Sequence, residues 1–279
     1  MKSSVIRLFV SPCRSGSTAF MQSLNQSSEV HCFYQPIKEG IREGTGPDYS
    51  FFYETHPSFA KYPGKIFFAK EVLGHTQPDE CCFQIFPNDE AVRCSRPLFL
   101  LRDPIATWSS WKKCKAAGKQ GWGGVCDIEM FKLAYEHTFK TFVATRHISN
   151  HVTCLTREHL LRDPYQVFQL VCNRWEIPFT DEMIHWKKSF DINSFTCGEK
   201  DHRSVGEVEY DHAETFNRIQ HKDVREAKAF YRVEDNEGRT QEKLVTLEER
   251  QDIEATLRPF HDSFSEWCEE YYPLATVAA

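Results

Sequence analysis

The chain is predicted to fold as an α/β domain, a parallel sheet covered by helices. Short apolar runs that alternate with helical patterns, and helix starts marked by capping residues, carry that expectation. The runs are VIRLFV (Val5 to Val10), KIFFAK (Lys65 to Lys70), PLFLL (Pro97 to Leu101) and HVTCL (His151 to Leu155). Each has strand length and lies between polar or helical stretches. Helices are expected to begin at Asp103-Pro104, Asp127, Asp163-Pro164 and Thr180, where a capping side chain precedes a first turn that tolerates proline or acid. The last element spans Thr246 to Tyr271: TLEE reads as a capping box, and Leu247, Ile253, Leu257, Phe260, Phe264, Trp267 and Tyr271 form one apolar face. Pro259 is expected to kink or split that helix, whose role is to cover the sheet.

With 279 residues, 41% of them hydrophobic, the chain can bury a large core, and it reads as one domain over 1–279. Three stretches lack a regular apolar period: an aromatic insertion at about 32–62, the glycine-rich GKQGWGG (Gly118 to Gly124), and a charged, lid-like region at about 195–243. No run approaches the roughly 18 to 20 apolar residues of a membrane span, and two serines lead straight into the first strand. A cytoplasmic protein with no membrane partner is expected. Eleven cysteines, odd in number and without C-x-x-C pairs, argue against a zinc ribbon or a disulfide framework. A net charge of -6 gives no general attraction for nucleic acid, so an anionic ligand must be met by local cations. The basic cluster KKCKAAGK (Lys112 to Lys119) reads as a solvated helix end.

Residues 11 to 18, SPCRSGST, follow the first strand. Set against the phosphate-loop pattern G-x-x-x-x-G-K-[ST], they keep the second glycine as Gly16 and the hydroxyl as Thr18, but Ser11 replaces the first glycine and Ser17 the lysine. Such a loop still directs backbone N–H groups and a helix N-terminus at an anion, and Arg14 adds a cation. It lacks the lysine for the terminal phosphates of a nucleoside triphosphate and a strand-end acid for magnesium. No metal is therefore called for.

LRDP occurs twice, at Leu101 to Pro104 and Leu161 to Pro164. Only the first copy follows a buried strand and places a hydroxyl, Ser110, eight residues beyond its arginine, Arg102. That pair makes a second phosphate site, since a guanidinium gives two parallel N–H bonds and a serine adds a neutral donor. Two phosphate sites at strand ends of one sheet suit a nucleotide phosphorylated at two places.

These residues resemble the sulfotransferases that use 3′-phosphoadenosine 5′-phosphosulfate (PAPS). Arg14-Ser15-Gly16-Ser17-Thr18 looks like their 5′-phosphosulfate loop, LRDPIATWSS like their 3′-phosphate motif, and TREHLLRDPYQVFQLVCNRWEIPF (Thr156 to Phe179) like the strand and helix that follow. The third segment departs from the family pattern at Arg157, where many members carry tyrosine. The resemblance implies a three-layer fold of P-loop type, with PAPS as sulfuryl donor and 3′,5′-bisphosphate (PAP) as product. It also implies a soluble, microbial or secondary-metabolism enzyme. In it Arg14, Ser15, Gly16, Ser17, Thr18, Arg102 and Ser110 bind the donor, and Arg14 assists catalysis.

A hydroxyl acceptor needs a base within hydrogen-bond reach. KIFFAKEVLGH offers Glu71, the first choice by resemblance, and His75, with Lys70 able to polarise the sulfuryl oxygens. An exposed glutamate starting a helix is otherwise a dipole partner, and a lone histidine is commonly structural. CFYQP (Cys32 to Pro36) and YSFFYETHPSF (Tyr49 to Phe59) either wall an aromatic acceptor pocket or pack their loop onto the core, and Trp108, Trp111 and Trp122 face the same choice. The reading favoured is sulfonation of a small aromatic or polycyclic hydroxyl compound; the alternatives are a non-sulfonating role of the same fold and a P-loop kinase.

Overall fold

The computed structural model describes residues 6–42, 44–53, 56–74, 78–116, 127–189, 196–197, 200–201, 229–230 and 244–274. The glycine-rich stretch at 118–124, almost all of the charged stretch at 195–243, and the single residues His75 and Trp122 lie outside the described residues.

One sheet holds the strands β1 (Ile6–Pro12), β2 (Val30–Tyr34), β3 (Ile66–Leu73), β4 (Leu98–Leu101), β5 (Thr153–Thr156), β6 (Thr196–Cys197) and β7 (Lys200–Asp201). Their order is β5-β4-β1-β3-β2-β6-β7, and every pairing is parallel except that of β6 with β7. The three-layer α/β class expected from the sequence is the one found. β1 is buried at all of its positions, as a central parallel strand requires, and its side chains alternate between two cores. Phe9 enters the core covered by α1 (Ser17–Leu24) and α8 (Pro164–Trp175), where Phe20 lies 4.6 Å from Phe9 and stacks on Phe168 at 4.8 Å. Leu8 and Val10 enter the other, which lies beneath α5 (Pro104–Ala116), α6 (Ile128–Thr145) and the C-terminal helices.

Those C-terminal helices are α9 (Leu247–Thr256) and α10 (Arg258–Tyr271), which break at Leu257 as Pro259 leads one to expect. The Thr246 hydroxyl accepts from the Glu249 amide at 3.2 Å while the Glu249 carboxylate accepts from the Thr246 amide at 2.8 Å, completing the capping box. Ion pairs Lys112–Glu249 (2.8 Å) and Lys132–Asp252 (3.0 Å) tie α9 to α5 and α6. Lys112, expected in a solvated cluster, is thus a tie between helices. α10 lies on β5, where Phe264 meets Phe142 at 5.0 Å and the Tyr272 and Thr153 hydroxyls bond at 2.7 Å.

Two sequence expectations are corrected. The insertion at about 32–62 does not begin as a loop: Cys32, Phe33 and Tyr34 belong to β2, which pairs with β3 from Val30↔Ile66 to Tyr34↔Lys70. All three side chains are buried, so they pack the sheet instead of lining a pocket. Strands buried on both faces lose the alternation that would have marked this one. The irregular part is further shortened by α2 (Pro36–Arg42) and α3 (Pro57–Lys61). Likewise β3 continues to Leu73, placing Lys70 and Glu71 inside the strand instead of after it. Lys70 Nζ lies at Thr18 Oγ1 and against Tyr34, and Glu71 Oε1 accepts from the Ile37 amide, so both side chains find partners inside the fold and the strand continues past them.

The chain leaving β3 is held firmly. Lys38, wholly buried on α2, donates to the carbonyls of Val72 (2.9 Å) and Gly74 (2.5 Å) and pairs with buried Glu80 at 2.5 Å. Gly74 has φ +86°, and a Cβ there would lie 2.4 Å from Trp111 Cη2. Since Trp111 is wholly buried it has little room to yield. Gly74→Ala is expected to cost about 3 kcal/mol, from the left-handed backbone and overpacking together. A urea denaturation series checks this; a change near zero would contradict the close packing of Gly74 on Trp111.

Candidate active site

The loop from Cys13 to Gly16 joins β1 to α1, so a strand end, a tight turn and a helix N-terminus meet within a few residues. Arg14 (φ 70°) and Gly16 (φ 103°) both take left-handed backbone, the conformation that gathers successive N–H groups into an anion-binding concavity. For Arg14 that conformation costs roughly 1–2 kcal/mol. Trp111 donates from Nε1 to the Cys13 carbonyl (2.9 Å) and the Cys13 thiol donates to Gly74 O (3.0 Å), so packing fixes the turn. This is the task of Trp111, while Trp108 stacks on Phe131 at 5.5 Å; both are buried packing residues. In the loop before α1 the buried Ser15 hydroxyl has no hydrogen-bond partner among the described residues, and neither has that of Ser11 near the end of β1. An unsatisfied buried hydroxyl in a cradle of amides suits a ligand with acceptor oxygens.

The second motif meets this loop as the strand order dictates. β4 lies beside β1, and Arg102 leaves its C-terminal end to donate from a terminal nitrogen to the Arg14 carbonyl at 3.2 Å. Arg14 in turn donates from Nε to Ser110 Oγ (3.1 Å) on α5. The predicted 3′-phosphate pair, Arg102 and Ser110, is therefore joined through Arg14. β5 lies beside β4 with Leu101 opposite Thr156, so the residues that follow them, Arg102 and Arg157, leave the sheet together. Thr156 caps α7 (Arg157–Arg162) by accepting from the His159 amide. Burial, then the charges of Arg157 and Arg14, bring the Arg102 pKa down to about 9 despite Glu158 and Asp103. Clustered guanidinium groups of this kind are stabilised by an anion.

The surrounding residues tether the motif. Glu158 accepts from the Asp103 amide at 3.0 Å and lies 3.3 Å from His261 Nε2, while Asp103 pairs with Arg258 at 2.8 Å and accepts from the Ala106 amide at 2.8 Å. Burial pushes the Glu158 carboxyl up, but His261 and the Asp103 amide outweigh it and hold it below the ordinary range. Tyr135 donates to the Arg102 carbonyl at 2.8 Å.

Lys70 and Glu71 are neighbours in β3 and so point to opposite faces. Lys70 Nζ lies on the α1 side, 3.1 Å from Thr18 Oγ1 and 3.8 Å from the centroid of the Tyr34 ring. Glu71 turns the other way: wholly buried, it accepts from the Ile37 amide of α2 at 2.6 Å through Oε1, while Oε2 has no hydrogen-bond partner among the described residues. The structure therefore brings Arg14, Ser15, Gly16, Ser17, Thr18, Arg102 and Ser110 together with Lys70, and places Glu71 behind them. Arg157 was absent from the residues singled out as binding; its signal was its position directly after the strand beside the one that delivers Arg102.

No protein-family model and no curated protein sequence matches the chain. Among solved structures, the sulfotransferase domain of the Synechococcus PCC 7002 olefin synthase matches it with a TM-score of 0.52 at 11% identity, over 95% of this chain and 96% of that one. The chain has the sulfotransferase fold. Looser matches are the sulfotransferase domain of the curacin biosynthetic pathway (TM-score 0.44, 12% identity, 86% of this chain and 96% of that) and retinol dehydratase in complex with retinol and PAP (0.41, 12%, 100% and 84%). At these identities the likeness concerns the fold alone. No helix among the described residues is long and apolar enough to cross a membrane.

Glu71 generates a prediction about stability. Burial raises its pKa from 4.5 to about 8, against the Ile37 amide and the charges of Lys38 and Arg42. Between those values the folded protein holds a proton that the unfolded chain releases. The stability contributed by the neutral carboxyl is fully present below about pH 4.5 and is lost as the pH rises through about 8, at up to about 1.4 kcal/mol per pH unit. Glu71→Gln, neutral throughout, is expected to flatten the fall in urea midpoint over that window. Equal pH profiles for variant and parent would contradict the protonated buried carboxyl.

Proposed function

We propose that the protein is a sulfotransferase that takes its sulfuryl group from PAPS and delivers it to a hydroxyl of a small aromatic or polycyclic compound. The observation that carries this reading is the meeting of Arg14, Arg102 and Arg157 at a turn of left-handed backbone with an unsatisfied buried Ser15 hydroxyl. Several preorganised cations and amides in one place suit a ligand of several negative charges. The residues fit an adenosine 3′,5′-bisphosphate core better than a nucleoside triphosphate, since Ser17 stands at the position of the usual phosphate-loop lysine.

PAPS supplies a sulfuryl group activated by its bond to the 5′-phosphate. As that bond breaks, charge builds on the phosphate, and the helix N-terminus with the Gly16, Ser17 and Thr18 amides is preorganised to stabilise it. Lys70, held at Thr18, places a further positive charge at the first turn of α1. For the proton of the acceptor, Glu71 offers an unpartnered Oε2 that, once ionised, has a proton affinity raised to about 8. A second reading, binding or rearrangement without sulfonation, is favoured by one observation: Glu71 is wholly buried and engaged at α2. Release of PAP from PAPS on adding a panel of phenols would separate the two.

Calorimetry with PAP tests the donor site. Metal-independent binding is expected, weakened about 10- to 100-fold by Arg102→Ala, the scale of one lost charge-assisted contact. Tighter binding of ATP with magnesium than of PAP would overturn the assignment.

A further inference from the structure

Arg157 belongs to neither motif that located the site, yet the fold carries it to the phosphate loop. Its Cδ and Nε lie 3.4 Å from where a Cβ on Gly16 would stand, so its stem crosses the residue that caps α1, the eight-residue helix of the loop. Arg14 is engaged with the second motif: its Nε donates to Ser110 Oγ and its carbonyl accepts from Arg102. The loop's own arginine is thus taken up by the second motif, while an arginine from β5's exit lies over the loop's glycine.

We propose that Arg157 supplies the guanidinium for the 5′-phosphosulfate end of the donor, and that Arg14 joins Arg102 and Ser110 at the 3′-phosphate. This deepens the reading of the site as a bisphosphate site and rests on it. Two features agree. The stem of Arg157 passes within van der Waals reach of Gly16, whose positive φ of 103° disfavours any side chain there. The N-terminal amides of α1 and Lys70 at Thr18 face the same end, so a phosphosulfate there meets cations from both sides.

The assignment separates the two ends experimentally. Calorimetry on the parent, Arg157→Ala, Arg157→Lys and Arg102→Ala would use three ligands: PAP, adenosine 5′-phosphate and adenosine 3′-phosphate. Arg157→Ala is expected to weaken PAP and the 5′-phosphate about tenfold or more and leave the 3′-phosphate within about twofold, with Arg157→Lys recovering part of the loss. Arg102→Ala should show the reverse preference for the two monophosphates. Loss of all three ligands alike in Arg157→Ala, or of none, overturns the assignment, as does selective loss of the 3′-phosphate. If the parent binds none of the three, the bisphosphate reading itself fails and this assignment falls with it, whereas parent binding with an unchanged variant removes Arg157 alone.

Discussion

Parallel pairing of β1, β4 and β5 is the constraint from which the site follows. In a parallel sheet the C-terminal ends of neighbouring strands lie at one edge, so whatever residue each strand releases there is brought beside the others. Here β1 releases the loop with Arg14, β4 releases Arg102 and β5 releases Arg157. Three cations converge at a cost that the fold does not recover internally at Arg102, whose pKa falls to about 9. A bound anion would offset that cost, which is why the edge is the candidate binding site.

The scaffold around that edge is built for rigidity. Aromatic packing fills both faces of the sheet, and the residues nearest the loop are fixed by named contacts: Trp111 on Cys13, Lys38 on the β3 exit, Tyr135 on Arg102. Glu158 and Arg258 secure the Asp103 end of the second motif from two directions. A site that stabilises charge by preorganised donors gains from this, because little needs to move when the charge develops.

Much of this was legible in the sequence. Apolar runs marked β1, β4 and β5, capping residues marked α5, α6, α8 and α9, and the phosphate-loop remnant together with Arg102 and Ser110 named residues that the fold brings together. β2 was not legible, because a strand buried on both faces shows no alternation and its aromatic residues merge with the segment after it. Lys70 and Glu71 looked like the polar end of a strand; only the structure supplies Thr18, Tyr34 and the Ile37 amide as their partners. Arg157 was hidden for a different reason: its importance depends on which strand pairs with which, and strand order is not written in local pattern.

The central claim is that one nucleotide is held at two phosphates along this edge. Phosphorus NMR of PAP bound to the protein tests it most directly, since the 3′ and 5′ groups give separate resonances. The account predicts that both shift on binding without added metal, and that Arg102→Ala reduces the shift of the 3′ resonance more than that of the 5′. Perturbation of a single resonance in the parent would contradict it.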